Sequence, residues 1–280
     1  MLGLISAMRV EMELIAAALE NSHTQRVGGV EFQTGTLWGQ EAVLCVCGPG
    51  KVNAALCTQA MILHCHPEAV LNLGVAGSLS DEVSIGDVVV GVYAVQHDMD
   101  TSPLGDPPGL IPGINILRLP LDEALQKKLG RALLALPDIR GTFGGIATGD
   151  QFLHDAARRD HVREQFGAVC CEMEGGAVAH VCHVNNVPCA VVRAISDNAD
   201  GGSDMDYLKF LDKAAENSVR LVRRFVQEAQ GLLSGHQKTQ GGIGGPKLSD
   251  SRSQTSDMCV GLRRISKKFS PCPSKRPQKA

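Results

Sequence analysis

Several runs of this chain are apolar without alternating: residues 2–8 (LGLISAM), 41–47 (EAVLCVC), 69–74 (AVLNLG), 83–92 (VSIGDVVVGV), 168–174 (AVCCEME) and 187–195 (VPCAVVRAI). A strand with one face in water alternates apolar and polar residues. A strand that stays apolar is covered on both faces, which is the situation of a parallel sheet between layers of helices. Helical patterns do separate these runs, over 11–20, over 52–64 and in GGAVAHVCHVNN. A closing helix is expected over 203–233, where Leu211, Ala215, Ser218, Val222, Phe225 and Ala229 lie three or four apart. Together these predict an α/β fold, a single domain with a central mixed, largely parallel sheet flanked by helices.

The domain is expected to span 1–234. From 235 on, Gly, Ser, Gln, Pro and Lys dominate, and the tail 235–280 is expected to be disordered and basic. Residues 236–280 hold ten Lys/Arg against two Asp/Glu, so they carry +8 and the rest of the chain −11. An acidic body argues against nucleic acid as a partner. Of the ten cysteines, Cys45, Cys47, Cys57, Cys170, Cys171, Cys182 and Cys189 sit in apolar runs and no CxxC pair occurs, as expected of reduced core thiols. The start MLGLISAMRVEME lacks a basic lead and soon meets Glu11 and Glu13, unlike a signal peptide. No apolar run reaches membrane-spanning length. A cytoplasmic protein with no membrane partner is expected.

Three acids draw attention at the ends of the apolar runs. Glu11 follows the first, Glu174 ends the fifth, and Asp197 follows the last in AVVRAISD. In a parallel sheet ligands bind outside the carboxyl ends of the strands, so all three carboxylates are expected at one rim. The loops GPGK, VAGS and ATGDQF are expected there too. Each acid alone reads equally well as a favourable charge at a helix start. Together they suit division of labour in glycosidic cleavage, where one carboxyl is protonated and another ionised.

At these residues the chain resembles the 5′-methylthioadenosine/S-adenosylhomocysteine nucleosidases, within the purine nucleoside phosphorylase and hydrolase superfamily. The blocks GLISAMRVEME, CGPGKVNAA, LNLGVAGSL, HDMD, ATGDQFL, CEMEGGAVAHVC and VPCAVVRAISDNAD carry the likeness, from about residue 2 to 233. The resemblance implies a nucleoside phosphorylase-like fold and hydrolysis of the N-glycosidic bond between adenine and a 5′-thio-substituted ribose, with water as co-substrate and no cofactor. It makes Asp197 the acid that protonates adenine N7 and Glu11 the base that activates water. Glu174 would hold the ribose hydroxyls, with Met173 against the sugar. Phe152 would stack on adenine and Leu153 bind its edge through the backbone. Met8 and Pro49 would lie near the sugar and its 5′-thio pocket, beside Val75, Ala76 and Gly77. Ser196 and Arg193 would orient Asp197 and the hydroxyl network. A homodimer is implied, with the loop around Pro112 reaching the neighbouring site. Val75 stands where many relatives have a hydroxyl residue, and Leu104 where a partner aromatic often closes the pocket.

Other motifs in the chain fit other chemistries less well. GPGK fails the phosphate-loop pattern, since Lys51 is followed by Val52. It half fits a dinucleotide pattern, but Glu68 precedes its strand and so lies at the wrong edge. HCH at 64–66 and HVCH at 180–183 supply too few converging ligands, so no metal is assigned. A phosphorylase would need an arginine cradle for phosphate, which LNLGVAGSL lacks, leaving Arg9 and Arg193 as the candidates for it. A futalosine-type nucleosidase and a non-catalytic adenosine or S-adenosylhomocysteine sensor are the remaining alternatives. Binding alone has no need of a water-activating base.

Overall fold

The computed structural model describes residues 1–199 and 203–237, with the side chains of the last helix described from 210 to 228. The chain opens with β1 (Leu2–Ser6), α1 (Arg9–Ala16), β2 (Leu19–Val27), β3 (Val30–Leu37), β4 (Gln40–Val46) and α2 (Lys51–Cys65). Then follow β5 (Ala69–Ser78), β6 (Val88–Gln96), β7 (Leu119–Pro120), α3 (Glu123–Leu134), β8 (Gly141–Thr148) and α4 (Ala156–Phe166). β9 (Ala168–Glu172), α5 (Gly175–Val184), β10 (Cys189–Asp197) and α6 (Ser203–Gln237) complete it. These elements fall in one compact unit. The basic tail expected from 235 lies, from 238 onward, outside the described residues.

β5 is the hinge of the sheet. β1 and β10 flank it in parallel, and β4 extends the parallel group beyond β1 before the antiparallel β3 and β2. On the other side β10 pairs antiparallel with β6, then β8 and β9 continue parallel to β6. β9 returns to pair antiparallel with the end of β5 at Gly77 and Ser78. The strands β5, β10, β6, β8 and β9 therefore close on themselves.

The apolar runs are continuous because both faces are covered. Leu71, Leu73, Val192 and Ala194 point to a layer with Met12, Ile15, Leu221 and Phe225 from α1 and α6. Their neighbours Val70, Val191 and Ile195 point the other way, among Ala54, Cys57 and Met61 of α2 and Ala177 and Val178 of α5. Such burial is worth about 1.5–3 kcal/mol for each large side chain. No helix among the described residues is long and apolar enough to cross a membrane.

Several expected boundaries move, two of them for reasons visible in the hydrogen bonding and pairing. The strand expected over 83–92 starts only at Val88, because Ser84 N–H donates to Asp87 Oδ2 at 2.9 Å and turns the chain first. The helix expected over 11–20 is α1 and stops at Ala16, since Leu19 already pairs with Leu37 across the β2–β3 hairpin.

Candidate active site

Glu11 stands in the first turn of α1, where the chain leaves β1, and is 4% exposed. Its carboxylate accepts Met8 N–H at 2.9 Å and Val75 N–H at 3.1 Å. Burial pushes its pKa up; the Met8 N–H, the charge of Arg193 and the Val75 N–H act against this without reversing it. The close approach needs a bare backbone at Gly74. A Cβ there would sit 3.0 Å from both Glu11 Oε1 and Arg193 Nη1.

Arg193 lies opposite Gly74 on β10 and is 1% exposed. It donates from Nη2 to Asn72 Oδ1 at 2.6 Å and from Nε to Glu172 Oε2 at 3.2 Å. Its Nη2 also bonds Glu172, while Glu174 Oε2 is 3.7 Å away. Glu172 further accepts the Thr148 hydroxyl and the N–H groups of Glu174 and Gly175. Burial alone would raise the Glu172 pKa, but Arg193, Thr148 and the Gly175 N–H outweigh it and hold the carboxyl below its ordinary range. Glu174 receives only the more distant guanidinium contact and Gly50 N–H at 2.8 Å. Burial, then repulsion from Glu172, pushes its pKa up to about 7.

Asp197 ends β10 opposite Gly77, three residues along β5 from Gly74. The pairing with β5 slips between Ile195 and Asp197, which leaves Ser196 as the extra residue of a bulge. Bulges of this kind re-aim side chains. Ser196 Oγ donates to Asp197 Oδ2 at 2.8 Å and also lies 3.3 Å from Ala76 O. Ala199 N–H donates to Asp197 Oδ1 at 2.9 Å. Here too the facing strand must be bare, for a Cβ on Gly77 would lie 2.8 Å from Asp197 Oδ1.

Glu11 and Glu174 both lie beside Arg193, and Asp197 stands opposite Gly77 on β5, the strand whose Val75 N–H bonds Glu11. Glu11 and Asp197 leave strands parallel to β5, whereas β9, which leads to Glu174, pairs antiparallel with it. That pairing covers only two residues at the strand ends. β9 then runs back toward Gly50 and Arg193, which carries Glu174 into contact with both.

The residues matched to substrate contacts are less uniformly placed. Met8, Val75 and Met173 are half-buried, and Ala76 and Gly77 are buried beside Asp197. Leu153 is buried in a cluster that includes Ala199. Phe152 is 45% exposed, and Pro49 and Pro112 are exposed. Leu104, in a single turn of 3-10 helix at Ser102–Leu104, is exposed as well. Pro112 and Leu104 lie on the segment between β6 and β7. Glu172 is the residue that sequence reasoning missed. In EMEGG it looks like Glu174, and only the position of Arg193 separates them.

The arrangement suits chemistry on a species that becomes cationic. Glu11, Glu172, Glu174 and Asp197 outnumber the one buried guanidinium. Two of them hold their protons more tightly than an ordinary carboxyl. The GPGK turn is not a phosphate cradle here, since Gly50 and Lys51 give their N–H groups to Glu174 and Asp150. No group of three His, Cys, Asp or Glu with metal-binding geometry occurs among the described residues. A cavity of about 660 Å³ between α1, β3, β4 and α2 is a separate feature, with Arg9, Met12 and Asn53 in its lining and none of the four buried acids.

Comparison with known proteins agrees in fold and in sequence. Residues 1–227 match the profile of the Phosphorylase superfamily. The chain is 39% identical over 228 residues to the 5′-methylthioadenosine/S-adenosylhomocysteine nucleosidase of Anoxybacillus flavithermus, covering 81% of this chain and 98% of that protein. It superposes on the Neisseria meningitidis nucleosidase of the same name, solved in complex with methylthio-immucillin-A, with a TM-score of 0.78 and 34% identity over 80% and 97% of the two chains. A structure described as futalosine hydrolase of Helicobacter pylori gives a TM-score of 0.77 and 36% identity, over 81% and 97% of the two chains.

Proposed function

Since the chain belongs to the Phosphorylase superfamily, and within it to the 5′-methylthioadenosine/S-adenosylhomocysteine nucleosidases, we propose that it hydrolyses the N-glycosidic bond of these two nucleosides. The products are adenine and the 5-thio-substituted ribose. What supports the reading is the placing of Glu11 and Glu174 beside Arg193 and of Asp197 opposite Gly77 on β5, the strand whose Val75 N–H bonds Glu11, with all three acids almost fully buried. Binding alone has no need of a buried base such as Glu11 beside the buried Glu172 and Glu174.

In this reading Asp197, steadied by Ser196, gives a proton to adenine N7, so that adenine departs as a neutral base. Glu11 takes a proton from water as that water attacks the sugar. Glu174 holds the ribose hydroxyls, and with Glu11 it faces the positive charge that the ribose gains as the bond breaks. Arg193 is a positioning residue: its guanidinium is committed to Glu172 and Asn72, and it braces Glu174 from the side. Met8, Met173 and Pro49 line the sugar and its apolar 5′ group. Val75, Ala76 and Gly77 form the floor, Phe152 stacks on the base, and Leu153 meets its edge.

The commitment of Arg193 also speaks against phosphorolysis, because it has no donor pair left to cradle phosphate. The test is an assay with methylthioadenosine in phosphate-free buffer. Adenine and free 5-methylthioribose are the expected products; strict dependence on phosphate, with a sugar 1-phosphate formed, would sink the reading. Futalosine belongs in the same assay because of the Helicobacter pylori relative. A homodimer in which the Pro112 loop reaches the neighbouring site completes the proposal. The cytoplasm is its proposed location, in keeping with the eight cysteines that are free among the described residues.

A further inference from the structure

The turn at 48–51 joins β4 to α2, and Gly50 N–H in it holds Glu174. What holds the turn is a closed set of bonds beside it. Lys51 Nζ donates to Asp98 Oδ1 at 2.6 Å, and Asp98 Oδ2 accepts Asp150 N–H at 2.9 Å. Asp150 Oδ1 in turn accepts Lys51 N–H at 2.7 Å. The set ties together the chain beyond three different strands, β4, β6 and β8. Isolated surface ion pairs are worth little because water and side-chain freedom compete with them. This pair differs, with the Lys51 and Asp98 side chains only 17% and 19% exposed. Gly50 is wedged between the two acids it separates: its N–H faces Glu174, and a Cβ on it would lie 3.1 Å from Asp150 Oδ1.

We propose that Lys51, Asp98 and Asp150 form a clasp that fixes the 48–51 turn, and thereby aims Gly50 N–H at Glu174 and Glu174 at the ribose. They are positioning residues for the reaction, and this role rests on the function proposed above. None of them needs to touch substrate. Their effect passes through one hydrogen bond, so it should vanish when Glu174 can no longer use that bond as a carboxylate.

The experiment compares Lys51→Met and Asp98→Asn with the wild type, alone and combined with Glu174→Gln. The Asn variant keeps an acceptor for Asp150 N–H and loses only the ion pair, so it carries the test if Lys51→Met does not fold. Each single variant should lose about tenfold in kcat/KM for methylthioadenosine, the scale of one misdirected charge-assisted hydrogen bond. In the Glu174→Gln background the further loss should be less than about twofold. Additive losses would mean that the clasp acts elsewhere, and would overturn the proposal. A second readout needs no turnover: the titration of the Glu174 carboxyl, followed by carbon-13 NMR in glutamate-labelled protein and assigned by its absence in Glu174→Gln. Glu174 faces Arg193 of β10, Glu172 of β9, Glu11 of α1 and the Cys47 thiol beyond β4. None of these is altered in either variant. Losing the Gly50 donor should raise the midpoint above its wild-type position near 7. An unmoved midpoint in a folded variant overturns the clasp. A wild type that releases no adenine overturns the function instead, and the titration still decides the clasp.

Discussion

Asp197 is 2% exposed at the end of a strand, so its carboxylate must be held by donors or neutralised by a proton. Ser196 Oγ and Ala199 N–H supply two donors. If tying down the backbone after β10 were its whole task, Asp197→Asn would shift stability by about 1 kcal/mol and leave turnover alone. If it delivers a proton to N7, the amide cannot replace it, and turnover should fall roughly 10²- to 10⁴-fold with the thermal midpoint nearly unchanged. Near-wild-type turnover in this variant would make the carboxylate structural. Glu174 offers a different test, because its folded-state pKa of about 7 stands above its ordinary 4.5. Between those values the folded chain keeps a proton that the unfolded chain has released. Stability from this group is therefore complete below about 4.5 and declines as pH rises toward 7. Glu174→Gln removes that decline. The thermal midpoint of the variant, relative to wild type, should rise between pH 5 and pH 8; a pH-independent difference would show that the carboxyl is not destabilised by its surroundings.

The elements that could be read from sequence are those buried on both faces. β1, β4, β5, β9 and β10 are covered on two sides, and their continuous apolar runs say so. β2 (LENSHTQRV) is exposed along most of its length and shows no apolar pattern at all. It is held by its pairing with β3, a long-range fact that local composition does not carry. α4 hides for a similar reason, since only Val162 and Phe166 of it are buried. In β8 (GTFGGIAT) the glycines dilute the strand signal. The closure of β9 onto β5 rests on two residue pairs far apart in sequence, so strand direction at Glu174 could not be foreseen. The candidate acids could be picked out because each follows a buried strand; singly each also suits a helix start, and it is their recurrence that stands out. Glu172, Lys51 and Asp98 fall inside the blocks that carry the likeness but suggest no such role, because each acts on another residue of the chain.

On the scale of the whole molecule, α2 has one face too many. Ala54, Cys57, Met61 and Ile62 are buried against the sheet and α5. On its other side Val52, Leu56 and Leu63 are 69%, 61% and 58% exposed. Single exposed apolar residues are ordinary, but several on one helix mark a surface that something covers. A second copy of the chain is the occupant proposed here, consistent with Leu104 and Pro112 standing exposed on the β6–β7 segment as if awaiting a neighbour. Leu56→Lys with Leu63→Lys places two like charges on that face, and on a symmetric interface each charge meets its copy. Light scattering should give twice the chain mass for the wild type and the single chain mass for the variant. Neither substituted residue contacts the buried acids. A monomer that keeps its fold but loses most of its kcat/KM would therefore mean that the neighbour completes the site. A wild type that is monomeric at assay concentration and fully active would end both halves of the idea.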